Sequence, residues 1–203
     1  MARPRRTRTE PSYEESLVTS AQEKERIGEH AAGMVRSGMS VLLDVGTTTT
    51  AIARALVRRT DLDEVSVITN GLTVALALEP AIPRVSVVVT GGTLRRLQHS
   101  LVDPMAATVL ERLRADLAFI GCNGVHVVHG ITNLNLPEAE MKRRMIKSAE
   151  RSIVVADGSK LGQAHLGRVA SLPEVGTVVT GSSADDRVVA DLRRAGTEVV
   201  QVH

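Results

Sequence analysis

The chain has 203 residues, of which 43% are hydrophobic and 24% charged, with a formal net charge of +2. That is enough for one substantial domain or two small ones, and it excludes global disorder. Aromatic residues are only 1% (Tyr13 and Phe119, with no Trp), which removes stacking platforms for single-stranded nucleic acid.

Met1 to Ala21 is polar, carries Arg3, Arg5, Arg6 and Arg8, and is interrupted by Pro4 and Pro11. It reads as a basic linker or arm, residues 1–21, ahead of a single domain over 22–203. The arginines can touch phosphate backbones but cannot read sequence, and a solvated tail is the simpler expectation. Gln22 to Ser37 then places Ile27, Ala31, Met34 and Val35 on one helical face, stopped by Gly38.

Ser40 to Leu43 is an apolar strand run ending in Asp44. Gly46 makes a turn, and Thr47, Thr48, Thr49 and Thr50 open a helix running through Val57. Free N–H groups at a helix start form an anion site, and threonine hydroxyls add uncharged donors. Gly46 to Thr50 thus either cradle a phosphate, with Asp44 contacting a neighbouring hydroxyl, or merely cap the helix. The loop is not a Walker A motif, since no Gly-Lys-Ser/Thr closes it.

Strand runs follow at Val65–Thr69, Val85–Thr90, Leu117–Ile120, Ser152–Ala156, Thr177–Thr180 and Glu198–Val202. Helical runs lie between them at Leu72–Leu78, Pro104–Arg114, Pro137–Glu150 and Ala184–Arg194. Val125 to Asn135 is less regular. Strands without apolar/polar alternation, separated by helices, predict an α/β fold: a Rossmann-like, mainly parallel sheet with helices on both faces. Polar or glycine-rich clusters follow five of the strands: Asp44–Thr50, Asn70-Gly71, Gly91-Gly92, Gly121–Gly124 and Asp157–Lys160. The carboxyl ends of parallel strands share one edge, so these clusters predict a pocket there.

The motifs Asp44-Val-Gly-Thr-Thr-Thr, Thr69-Asn70, Gly91-Gly92, Asp116-Leu-Ala-Phe-Ile-Gly121-x-x-Gly124, Gly130-Ile-Thr132, Glu138-x-x-x-Lys142-x-x-Met145 and Asp157-Gly-Ser-Lys160 occur in that order. Over Glu23 to Thr180 the chain resembles the C-terminal sensor domain of DeoR-family bacterial transcription regulators. The resemblance implies a ribose-5-phosphate isomerase-like fold and a phosphorylated sugar effector whose binding changes DNA affinity, most often releasing a repressor. It implies a homodimer or homotetramer. By matching motif, Gly46, Thr47, Thr48 and Thr49 hold the phosphate beside Asp44. Asn70, Gly91, Gly92, Asp116, Asn123 and Gly124 line the pocket, and Lys142 and Lys160 bring positive charge to the anion.

Three departures stand out. No segment here can form the family's winged helix-turn-helix, so DNA contact is expected only through a domain absent from this chain. Asp103 replaces a glycine, and Gly181 stands where an aspartate is frequent.

The competing expectation is a sugar-phosphate isomerase with Asp116, Glu140 and Lys142 as the chemical groups. It lacks a glycine-rich loop with paired acidic residues, so a non-enzymatic sensor is favoured. No cofactor is expected. Cys122, His126 and His129 lie close, but their spacing is not a zinc pattern and a fourth ligand is missing. A lone cysteine, no secretory h-region and no membrane-length apolar run favour a cytoplasmic protein with no membrane partner.

Overall fold

The computed structural model describes residues 9–203. The four arginines of the basic tail, and the backbone contact considered for them, lie outside the described residues.

The described part of the arm carries a helix. Helix α1 (Tyr13–Val18) has a complete capping box, Ser12 with Glu15, and Ser20 in a left-handed conformation turns the chain into α2 (Ala21–Gly33). Six residues cannot hold a helix in water by themselves. This one is held because Tyr13 is buried, its N–H donates to the Leu97 carbonyl at 2.9 Å, and its hydroxyl donates to Thr50 Oγ1 at 3.2 Å. The division expected at residue 21 therefore does not separate a free arm from a folded core.

Next come β1 (Ser40–Leu43), α3 (Thr47–Arg58), β2 (Val65–Thr69), α4 (Leu72–Leu78) and β3 (Val85–Val89). A small hairpin, β4 (Thr93–Arg95) and β5 (Ser100–Val102), precedes α5 (Met105–Leu110) and β6 (Ala115–Ile120). The irregular stretch is the hairpin β7 (Gly124–His126) and β8 (Gly130–Asn133), followed by α6 (Leu136–Lys147) and β9 (Ala149–Val155). The chain closes with β10 (Gly167–Ala170), α7 (Leu172–Val175), β11 (Thr177–Gly181), α8 (Asp186–Arg194) and β12 (Glu198–Val202).

Seven strands form one parallel sheet in the order β12-β11-β9-β6-β1-β2-β3. Successive side chains of a strand point to opposite faces, so each central strand feeds two cores. Val41, Leu43, Phe119 and Ile153 pack with Ile27, Ile52, Leu56 and Leu78 of α2, α3 and α4. Leu42, Ala118, Ile120 and Val154 pack on the other face with Leu110, Met141, Met145 and Leu192 of α5, α6 and α8. The expected covering of both faces is present. Strands β10, β8 and β7 form a separate antiparallel sheet in that order.

From β1 the chain passes through α3 to β2 on one side, while β6 and β9 lie on the other. This reversal opens a crevice over the carboxyl ends of β1, β6 and β9. Among the described residues, no helix is long and apolar enough to cross a membrane.

Candidate functional site

A cleft sits over that crevice, lined by the N-terminal turn of α3 and by the loops that follow β6 and β9. Gly46 caps α3 with φ near 134°, a conformation that side chains resist, and no side chain bonds the cap. The hydroxyls of Thr49 and Thr50 turn back onto the Gly46 carbonyl, at 2.9 and 2.8 Å. Among the described residues the hydroxyls of Thr47 and Thr48 make no hydrogen bond, and both threonines line the cleft with Gly46 and Thr49. The helix thus offers unpaired first-turn N–H groups together with two free hydroxyls.

Three lysines face the same space. Lys142, on α6, is buried and paired with the fully buried Asp44. Burial alone would lower its pKa, but the charges of Asp44 and Glu138 raise it, so it stays an ammonium. Burial raises the Asp44 carboxyl against the pull of Lys142. Asp44 also accepts from the Gly121 N–H at 3.0 Å, so it serves as a strut beneath the cleft. Lys160, in the turn after β9, lines the cleft, and its ammonium makes no hydrogen bond or ion pair among the described residues. Lys24, from α2, was not anticipated from sequence. Burial lowers its pKa, while the charge of Asp157 opposes that fall.

Asn123 is in the lining, its side-chain oxygen accepting the Leu134 N–H at 2.9 Å. The five remaining expected residues lie elsewhere. Asp116 is a correction. It stands near the start of β6, at the amino edge of the sheet opposite the cleft, exposed and bonded to the Ser40 N–H and hydroxyl at 2.7 Å each. Asn70, Gly91 and Gly92 follow β2 and β3, one and two strands from β1, and strand spacing of about 4.8 Å carries them away from the crevice. Asn70 is buried, its amide donating to the Leu101 carbonyl at 3.2 Å. A Cβ at Gly92 would lie 2.7 Å from the Val102 carbonyl oxygen, and one at Gly124 2.5 Å from that of Gln163. Gly92 and Gly124 thus permit close backbone approach, and none of Asn70, Gly91, Gly92 and Gly124 is in the cleft lining.

Sequence reasoning missed Glu138 as a site residue, although it sits one turn before Lys142 on α6 and so shares its face. Its carboxylate accepts from Ser100 Oγ at 2.6 Å and from Arg95 at 2.7 Å. Glu10, Pro11 and Ser16 of the arm also line the cleft, and no local pattern marked them. Gly181 is explained by Glu23, whose carboxylate accepts from the Gly158 N–H at 3.2 Å and the Ser183 hydroxyl at 2.8 Å. A Cβ at position 181 would lie 1.9 Å from Glu23 Oε1, so an α2 carboxylate fills the place an aspartate there would need. Asp103 has an ordinary backbone, so nothing at that position requires glycine.

The isomerase trio is not assembled. Asp116 is at the far edge, and Glu140 pairs with Arg143 and Arg144 on the outer side of α6. Burial pushes the Cys122 thiol up to about 12, so it is no nucleophile at neutral pH. Among the described residues, no three His, Cys, Asp or Glu side chains are grouped to hold a metal.

The structure is similar to ribose 5-phosphate isomerase A from Methanocaldococcus jannaschii, with a TM-score of 0.51, 17% identity, and coverage of 73% of this chain and 56% of that one. It is also similar to a probable sor operon regulator from Shigella flexneri, with a TM-score of 0.56, 12% identity, and coverage of 85% and 88%. At such identities the likeness defines the class of fold, an isomerase-like α/β domain. A family model for the DeoR C terminal sensor domain matches residues 19–182. A putative aga operon transcriptional repressor from Escherichia coli O157:H7 is 34% identical over 193 residues, covering 95% of this chain and 70% of that protein. The chain belongs to the DeoR family of transcription regulators, through its C-terminal sensor domain. Its curated relatives are named as regulators, not as enzymes.

Proposed function

We propose that the cleft binds a small phosphorylated metabolite, a phosphorylated sugar foremost, and that occupancy changes DNA binding by a helix-turn-helix domain, releasing a repressor. The supporting observation is the convergence of the open α3 N-terminus, with the free hydroxyls of Thr47 and Thr48, on the unpaired Lys160 ammonium. Helix-start amides and lysine together suit an oxyanion with spread charge that must be released again. The resemblance adds a homodimer or homotetramer, which sedimentation would check.

The site binds without converting, because the groups that might move protons are occupied. Glu138 is tied to Arg95 and Ser100, and Lys142 to Asp44.

A thermal-shift screen of pentose and hexose phosphates tests the reading, since a ligand of the folded state raises its melting point by mass action. Thr48→Val removes a hydroxyl at constant volume and Lys160→Ala removes a charge. Each should weaken the best hit by about tenfold or more, given ~1.5–3 kcal/mol per hydrogen bond to a charged group. Lys142→Ala is a poor probe, because it strands a buried carboxylate and costs ~3–5 kcal/mol of folding stability by itself. Identical shifts for wild type and both variants, or chemical turnover of the hit, would overturn the proposal.

A further inference from the structure

The arm forms one wall of the cleft, and two cations there are engaged in holding it. Arg95 pairs with the Glu10 carboxylate, and through the same guanidinium with Glu138. Lys24 Nζ donates to the carbonyl oxygens of Ser16 at 2.5 Å and Thr19 at 2.7 Å, where α1 ends. Gln98 adds a hydrogen bond to the Pro11 carbonyl at 2.6 Å. Glu10 is thereby brought to 11% side-chain exposure, although it belongs to a segment more than 80 positions from Arg95.

In the cleft or directly behind it, the carboxylates of Glu10, Asp44, Glu138 and Asp157 face the cations Lys24, Arg95, Lys142 and Lys160. With Glu10 docked the side-chain charges balance, so an entering phosphate would be drawn only by the helix-start amides and hydroxyls. With Glu10 withdrawn the cations are in excess. Space gives the same answer: the cleft offers about 70 Å³, against ~300–1,000 Å³ for ordinary small-molecule sites. Among the described residues the arm contributes no strand to any sheet.

We infer that Glu10 is an internal pseudo-ligand: its carboxylate holds residues 10–19 across the cleft, and an anionic effector displaces it and frees the arm. The inference rests on the anion-binding reading above and adds its output. The effector's oxyanion takes the place of the Glu10 charge and draws Lys24 away from the carbonyls of Ser16 and Thr19. Both changes undock α1. Burial raises the Glu10 carboxyl against the hydrogen bond from Arg95, which makes docking of this charge readily reversible. Because binding couplings are reciprocal, whatever loosens the arm must tighten the effector.

The test uses the full chain with inorganic phosphate and glucose 6-phosphate as probes, comparing wild type with Glu10→Gln and Glu10→Ala. Calorimetry gives the affinity, and amide hydrogen exchange follows residues 13–19 and 46–50. Expected are faster exchange over 13–19 in both variants without ligand, and anion binding at least threefold tighter. In wild type, either probe should speed exchange over 13–19 while slowing it over 46–50. Anion binding that is unchanged or weaker in both variants overturns the inference and leaves the anion site standing. So does an anion that slows exchange over 13–19, which would make the arm a closing lid. If neither probe binds any of the three proteins, the site reading itself fails and the pseudo-ligand falls with it.

Discussion

At the scale of single residues, Asp116 shows how a motif position can be right in sequence and wrong in space. It belongs to the run that ends in Gly121, yet it stands near the beginning of the strand, so the full length of β6 separates it from the cleft. Its work is to accept the Ser40 hydroxyl and N–H and so pin the start of β6 to the start of β1. Those bonds favour the carboxylate and hold its pKa below the usual 3.8. A depressed folded-state pKa contributes stability above the unfolded value and loses it as pH falls through the folded one. Asp116→Asn should therefore lower the melting temperature modestly at pH 7, with the gap to wild type closing below about pH 3.8. Melting curves across pH 2–7 check this, and a gap independent of pH would assign the Ser40 contacts no charge dependence. Ligand affinity should be unaffected, since the residue lies on the opposite edge.

At the scale of elements, the long helices and the central strands were legible because their signals are local. Ile27 and Ala31 recur at helical spacing, and the runs at 65–69 and 117–120 are apolar over a strand's length. Two kinds of element were not. The hairpins β4–β5 and β7–β8 have strands of three or four residues, too short for alternation to register. Helix α1 has a capping box that is visible as Ser12-x-x-Glu15, but its existence depends on a distant surface that receives Tyr13. Ser12→Ala removes the cap, worth ~1 kcal/mol. Because α1 is docked locally, the loss should appear as roughly fivefold faster amide exchange over residues 13–18, with the global unfolding midpoint in urea nearly unchanged. An equal loss in the global midpoint would show that α1 unfolds only with the whole domain.

At the scale of the whole molecule, the sheet carries two cores, and a central strand that serves both makes them one cooperative unit. Phe119 is fully buried between the sheet and the helices of one face, on a strand whose Ala118 and Ile120 serve the other. Phe119→Ala should cost ~3–5 kcal/mol, with an unchanged denaturant slope because both faces still unfold together. A second transition in urea would show that the faces are independent.

The sequence by itself determined the parallel α/β architecture, the edge on which the glycine-rich turns lie, and the turn at Gly46–Thr49, because each depends on neighbours within a few positions. Tertiary structure decided which strand ends meet. The reversal between β1 and β6 gathers the loops after β1, β6 and β9 and leaves those after β2 and β3 outside. It also brought Glu10, Lys24 and Glu138 to one cleft. Long-range charge pairing depends on where three separate elements cross, and that crossing is fixed by packing two cores at once, which no short stretch of sequence encodes.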